Sequence, residues 1–77
     1  MVLELRFFAG LRDYLPKGPT PHTAELPDGS TVGDVLKFFK VPPDKPRILL
    51  VNGRHADAVQ VLHNGDVLSV FPPVAGG

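Results

Sequence analysis

The segment LPDGSTVGDVLKFFK, residues 26–40, contains a turn followed by a helical pattern. Pro27-Asp28-Gly29 is a typical turn sequence. Ser30 or Thr31 is expected to cap a helix that runs to Lys40, since Asp34 gives Thr31 the spacing of a capping box. Pro42-Pro43 then stops the helix. Its apolar residues fall at i, i+3, i+4 and i+7 and form one face, which consists of Val32, Val35, Leu36 and Phe39.

Strand patterns flank this helix on both sides. They are Met1–Phe8, His22–Leu26, Arg47–Asn52, a very short strand within Arg54–Gln60, and Val67–Phe71. Ala9–Leu15 and Val61–His63 are predicted as short helical turns. One helix covers one face of a sheet, so this order predicts a two-layer α+β domain. The order is that of the β-grasp, ubiquitin-like fold, a mixed sheet of four to five strands packed on one main helix, although spacing alone leaves other small α+β folds open.

The strands also predict which side chains point outward. In the first strand Leu3, Leu5 and Phe7 alternate with more polar positions, so they are expected to face the core. Phe8 then shares the outward face with charged residues, where either a partner or a neighbouring loop would cover it. In the last strand Leu68 and Val70 are expected inside and Phe71 outside. The unbroken apolar run Ile48–Val51 predicts a strand buried on both faces.

Composition excludes several classes of function. The chain has 77 residues, enough for one domain, and eight basic residues balance eight acidic ones. Without a basic surplus we expect no nucleic-acid partner. No apolar run reaches the roughly 18–20 residues of a membrane span. There is no signal-peptide pattern, so a cytoplasmic protein without a membrane partner is expected. Cysteine is absent, which excludes disulfides and cysteine nucleophiles.

No side-chain constellation predicts chemistry within the domain. The three histidines are far apart in sequence and lack a metal-ligand spacing, so we interpret them as exposed or structural. The two serines lack a G-x-S-x-G context, and the internal glycines lack a phosphate-binding spacing. We therefore expect no bound cofactor or metal, and no catalysis by this chain alone.

The C-terminal Gly76-Gly77 remains as the candidate reactive group. A carboxylate becomes a good electrophile only after conversion to a mixed anhydride such as an acyl-adenylate. A terminal glycine offers no side chain to obstruct attack, and Pro72-Pro73 would give the segment a stiff root. Four further residues reach about 13 Å at roughly 3.3 Å each. We predict a domain over residues 1–73 and a flexible tail over 74–77, for which an inert frayed terminus is the alternative.

Several motifs resemble the MoaD/ThiS sulfur-carrier family. The ending is more similar to MoaD, the small subunit of molybdopterin synthase, than to ThiS. The matching stretches run from end to end: Phe7-Phe8-Ala9-Gly10-Leu11-Arg12, Leu26-Pro27-Asp28-Gly29 with Thr31-Val32-Gly33-Asp34, Val51-Asn52-Gly53, Asn64-Gly65-Asp66-Val67 and Phe71-Pro72-Pro73-Val74-Ala75-Gly76-Gly77.

The resemblance implies a role as a sulfur carrier. An ATP-dependent MoeB-like enzyme would adenylate Gly77, and a persulfide donor would convert it to a thiocarboxylate. The tail Val74, Ala75, Gly76 and Gly77 would then enter a MoaE-like large subunit, in an expected heterotetramer. There the thiocarboxylate would sulfurate cyclic pyranopterin monophosphate to form molybdopterin. The large subunit would supply the catalytic side chains in this complex.

The resemblance also implies a docking face. Phe8 and Phe71 would lie at its centre, with Pro72 and Pro73 beside them. His55 departs from the family pattern at a partner-binding position, where it would tune docking or be a neutral substitution. Three alternatives remain: the same chemistry for another acceptor (a thiolated tRNA base, thiamin thiazole or a tungsten cofactor), a ubiquitin-like modifier that conjugates Gly77 to lysines, and an interaction module with an inert tail.

Overall fold

The computed structural model describes residues 1–18 and 21–73, and in them a five-stranded mixed sheet with one α-helix. In chain order the elements are β1 (Val2–Phe7), a 3-10 helix (Ala9–Tyr14), β2 (His22–Glu25), α1 (Val32–Phe38), β3 (Ile48–Val51), β4 (Arg54–His55) and β5 (Val67–Phe71). The strand order is β2-β1-β5-β3-β4. The central strands β1 and β5 are parallel, and the other neighbours are antiparallel. The predicted α+β architecture is therefore confirmed.

The core lies between one face of the sheet and the helix. The residues predicted to point inward from β1 and β5 are buried, as are three of the four apolar positions of α1, while Phe39 is partly buried. Together with the 3-10 helix residue Leu11 they form one hydrophobic cluster. Burial of such side chains is the main stabilising contribution in a domain of this size, about 1.5–3 kcal/mol for each large apolar residue.

Thr31 is the residue that caps α1. Its Oγ1 accepts the Asp34 N–H at 3.2 Å, and Asp34 Oδ2 accepts the Thr31 N–H at 2.9 Å, which completes a capping box. Ser30 belongs instead to the preceding turn, because its hydroxyl donates to the Pro27 carbonyl at 2.7 Å. The sequence left both candidates open, and the structure selects Thr31.

The helix ends earlier than predicted. It stops at Phe38, and Lys40 has a φ of +60°, outside the helical region. The Lys40 N–H donates to the Lys37 carbonyl and the Val41 N–H to the Leu36 carbonyl, at 3.0 and 2.9 Å. This is a Schellman motif, which satisfies carbonyls at the helix end. Lys40 is the residue in the left-handed conformation, so the sequence has no glycine at this position to indicate the end of the helix.

Two further expectations are wrong. The run Ile48–Val51 is not buried on both faces, since Ile48 is 37% exposed. In the described part of the chain the only α-helix packs on the other face of the sheet, so the outer face of β3 is left open. Val61–His63 is not helical, because Val61 forms an isolated bridge with Thr31 and places Leu62 in the core at 1% exposure. Extended backbone allows that side chain to reach the core.

Candidate docking face and tail root

Three apolar side chains form a strip on the open face of the sheet. Ile48 is paired with Phe71 across β3 and β5, so both side chains point the same way. Phe8 follows β1, and its N–H donates to the Val70 carbonyl at 3.0 Å. Its ring stacks on Phe71 with centroids 4.3 Å apart and planes 2° apart. We call Phe8, Phe71 and Ile48 the apolar strip. Its members are half-buried or exposed, as predicted for the two phenylalanines.

A second row of side chains runs beside the apolar strip. Ser69 is paired with Arg6 on one side and Leu50 on the other, and Leu50 is paired with His55. The His55 side chain therefore lies on the same face as the strip, and it is exposed. The Arg6 Nε is 2.6 Å from Glu4 Oε2, an exposed ion pair within one strand. The sheet thus brings the proposed partner-binding residues Phe8, Phe71 and His55 to one surface.

Ala9 holds Phe8 in place, and sequence reasoning missed it. Its φ is +52°, which a non-glycine residue adopts rarely. This conformation turns the chain from β1 into the 3-10 helix, where the Leu11 N–H donates to the Phe8 carbonyl at 3.1 Å. An alanine gives no sequence signal for a left-handed conformation. Ala9 is part of the Phe-Phe-Ala stretch on which the family resemblance rests.

The root of the tail leaves the sheet beside the 3-10 helix. The Arg47 N–H donates to the Phe71 carbonyl at 2.8 Å, and the next two residues are Pro72 and Pro73, which have no N–H to continue the ladder. Pro72 is half-buried and Pro73 is exposed. They line a shallow groove of about 390 Å³ together with Gly10, Leu11, Tyr14, Asp44 and Lys45. The predicted tail Val74–Gly77, including the candidate reactive Gly77, lies outside the described residues.

The histidines occupy three separate settings. His22 contacts Phe39 edge-on, with ring centroids 6.0 Å apart, and His63 is exposed with its Nδ1 3.9 Å from Asp66 Oδ2. His55 lies on the open face. Over residues 1–18 and 21–73 there is no cluster of three metal-ligating side chains, and no helix has the length and apolar character needed to span a bilayer.

The strand order, with α1 on one face of the sheet and the other face open over the described residues, defines a ubiquitin-like protein of the β-grasp class. Two solved structures share this fold along nearly their whole length. One is SAMP1 from Haloferax volcanii, with 25% identity, a TM-score of 0.72 and full coverage of both chains. The other is a putative molybdopterin converting factor, subunit 1, from Pyrococcus furiosus, with 28% identity, a TM-score of 0.71 and coverage of 95% of this chain and 98% of that one. The β-grasp prediction is confirmed.

The chain belongs to the ThiS family, whose pattern matches residues 5–77. It is also 40% identical to small archaeal modifier protein 3 of Haloferax volcanii, over 94 aligned positions that cover 100% of both chains. The predicted membership of the wider MoaD/ThiS family is thus confirmed. The narrower assignment to MoaD is not confirmed, because this curated relative is named as a modifier.

Proposed function

We propose that this chain is a ubiquitin-like protein modifier whose Gly77 carboxylate is activated and joined to amino groups of target proteins. The observation that carries the proposal is the 40% identity, over both full lengths, to a protein named as a small archaeal modifier. The family match extends through Gly77, the residue proposed to react. The apolar strip and the tail root support the proposal, since a modifier needs a surface on which its activating enzyme can dock and a reactive segment rooted beside that surface.

The chemistry begins with activation. An ATP-dependent enzyme joins the Gly77 carboxylate to AMP and releases pyrophosphate. A lysine amine of the target then attacks the acyl carbon, so that a C–N bond forms, the bond to AMP breaks and the amine loses a proton. The absence of a side chain on Gly77 leaves the acyl carbon accessible. This chain contributes the acyl group and the docking face, and its partners contribute the catalytic side chains.

The second candidate is a sulfur carrier of molybdopterin synthesis. It is favoured by the 28% identity to a protein named as a molybdopterin converting factor subunit. The ending Phe71-Pro72-Pro73-Val74-Ala75-Gly76-Gly77 favours it as well, through its resemblance to MoaD. In this function the activating enzyme is MoeB-like, a sulfur nucleophile replaces the amine, and Gly77 becomes a thiocarboxylate that a MoaE-like subunit receives. Both candidates share the adenylate and differ in the nucleophile that follows.

Mass spectrometry of the protein from its native cells separates the two candidates. The last basic residue before the tail is Arg54, so trypsin would leave residues 55–77 on a modified lysine, a branch too long for routine identification. Cleavage before Asp66 leaves the shorter branch 66–77. Target lysines that carry this branch support the modifier. Free chain in which one oxygen of Gly77 is replaced by sulfur, without branched peptides, supports the carrier instead.

A chain that lacks Gly77 is the control. It retains residues 1–73 and should fold normally, but it should yield neither product. Branches that persist in this deletion, now ending at Gly76, would show that the reaction does not require Gly77. Absence of both products from the unaltered chain would contradict both candidates.

A further inference from the structure

A second, larger groove adjoins the apolar strip. It has a volume of about 960 Å³ and lies between the end of β1, the 3-10 helix and the start of β2. Apolar side chains form part of its lining, among them Phe8, Leu15 and Pro21. Phe8 therefore belongs both to the groove and to the strip, so a protein that docks on the strip also covers one wall of the groove.

The charges in the groove are mainly basic. Arg6, Arg12 and Lys17 line it, against the single acidic side chain of Asp13. Arg6 is already bonded to Glu4 at 2.6 Å. Arg12 and Lys17 are exposed, and neither forms an ion pair with any other residue that the structure describes. Since the whole chain has equal numbers of acidic and basic residues, this excess is a local feature.

We propose that this groove binds an acidic segment of the protein that docks on the apolar strip. Carboxylates of that segment would pair with Arg12 and Lys17, and an apolar side chain next to them would pack against Leu15. Asp13 can offset only one of these two charges, and covering the other without a counter-charge costs free energy, so a partner that spans strip and groove is expected to place a carboxylate here. The planar guanidinium of Arg12 suits a carboxylate, to which it can donate two parallel hydrogen bonds.

The proposal rests on the proposed function only for the identity of the partner, which is the activating enzyme. The groove itself can be tested without that enzyme. The probe is a synthetic peptide, Glu-Asp-Leu-Glu-Asp-Phe, blocked at both ends. Its comparison peptide has Gln and Asn in place of Glu and Asp, so that size and apolar content are retained while the charge is removed.

Titration of the ¹⁵N-labelled full chain with each peptide should shift the amide signals of Phe8, Arg12 and Lys17 for the acidic peptide only. The double variant R12Q/K17Q should raise the Kd about three- to tenfold, the effect of losing two exposed ion pairs. The matched control, K37Q/K40Q, removes two cations of the helix end that do not line the groove and should leave the Kd unchanged. The variant R12K/K17Q, in which Arg12→Lys replaces Arg12→Gln, should recover part of the affinity. Retained dispersion of the amide signals shows that each variant folds.

Three results would overturn the proposal: equal binding of the neutral peptide, equal weakening by the control pair, or shifts confined to other surfaces. Activation of Gly77 is measured separately, by ATP–pyrophosphate exchange with the activating enzyme. If activation proceeds while the acidic peptide fails to bind, the groove proposal is wrong and the proposed function stands. If the peptide binds as expected and no activation occurs, the groove proposal stands and the proposed function is wrong.

Discussion

The ring of Phe8 lies parallel to the ring of Phe71, with centroids 4.3 Å apart and an angle of 2° between the planes. The stack joins the chain just after β1 to the end of β5 on the open face of the sheet. Pro72 follows Phe71 directly, so this contact lies both at the centre of the proposed docking face and next to the root of the proposed tail. In the proposed function, docking and presentation of the tail would therefore be coupled through one aromatic pair.

We expect Phe71→Ala and Phe8→Ala to weaken binding of the activating enzyme by about tenfold or more, as for aromatic hot spots at interfaces. Phe38→Ala is the matched control, since Phe38 is 63% exposed on α1 and lies outside the apolar strip. Calorimetric titration of each variant with the enzyme measures the effect. Equal weakening by Phe38→Ala would show that the docking face has been misplaced.

A double-mutant cycle on the same pair tests the stack itself. Phe8→Ala and Phe71→Ala should be non-additive in the free energy of unfolding, with a coupling of about 0.5–1.5 kcal/mol for stacked rings. Urea denaturation of the two single variants, the double variant and the unaltered chain gives the coupling. Strictly additive losses would mean that the rings do not stabilise each other.

Substitutions at Ala9 test the left-handed turn that holds Phe8. Ala9→Gly should leave stability equal or raise it by up to about 1 kcal/mol, because glycine adopts a φ of +52° without the penalty of a side chain. Ala9→Val should lower stability by about 1–2 kcal/mol, since a β-branched residue is disfavoured there. Urea denaturation measures both. A valine variant as stable as the unaltered chain would contradict this conformation.

The fold was largely predictable from the sequence because its signals are local. The core-facing side chains can be predicted from the alternation in β1 and β5 and from the helical spacing of Val32, Val35 and Leu36. The features that escaped prediction have two other causes, one distant in sequence and one a local backbone conformation. Whether Ile48 is buried depends on what covers the second face of the sheet, and the early end of α1 depends on a lysine that adopts a conformation usually given to glycine.

The candidate site was predictable in part for the same reason. Alternation placed Phe8 and Phe71 outward, but only the parallel pairing of β1 with β5 brings the two rings into contact. The role of Ala9 and the basic groove around Arg12 had no local signal, since the first is a backbone conformation and the second is built from three separate segments.

Thr31→Ala tests the start of the helix. Loss of the capping box should cost about 1 kcal/mol of stability, within the range for such caps. Thr31→Ser is the control, since a serine hydroxyl can also accept the Asp34 N–H, and it should cost much less. Thermal or urea denaturation distinguishes them. An alanine variant that matches the serine variant would show that the hydroxyl contributes nothing.

Asn52 ties the β3–β4 turn to β5 and provides a further test. Its side chain accepts the Val67 N–H and donates to Asp66 Oδ1, both at 2.9 Å, and its φ is +52°. Asn52→Gly loses only the side-chain bonds, whereas Asn52→Ala also places an alanine in the left-handed region. Alanine should therefore destabilise more than glycine, by about 1 kcal/mol. Equal losses in urea denaturation would mean that the backbone conformation carries no cost.

The central claim is that the Gly77 carboxylate becomes an electrophile, and hydroxylamine trapping tests it most directly. Full-length protein is incubated with ATP, hydroxylamine and an extract of its native cells, and its intact mass and C-terminal peptide are then measured. Hydroxylamine displaces AMP from an acyl-adenylate and leaves a hydroxamate. We predict an ATP-dependent hydroxamate at Gly77 that is absent from the chain lacking this residue. An unmodified Gly77, or a hydroxamate that forms equally without ATP, would contradict the account.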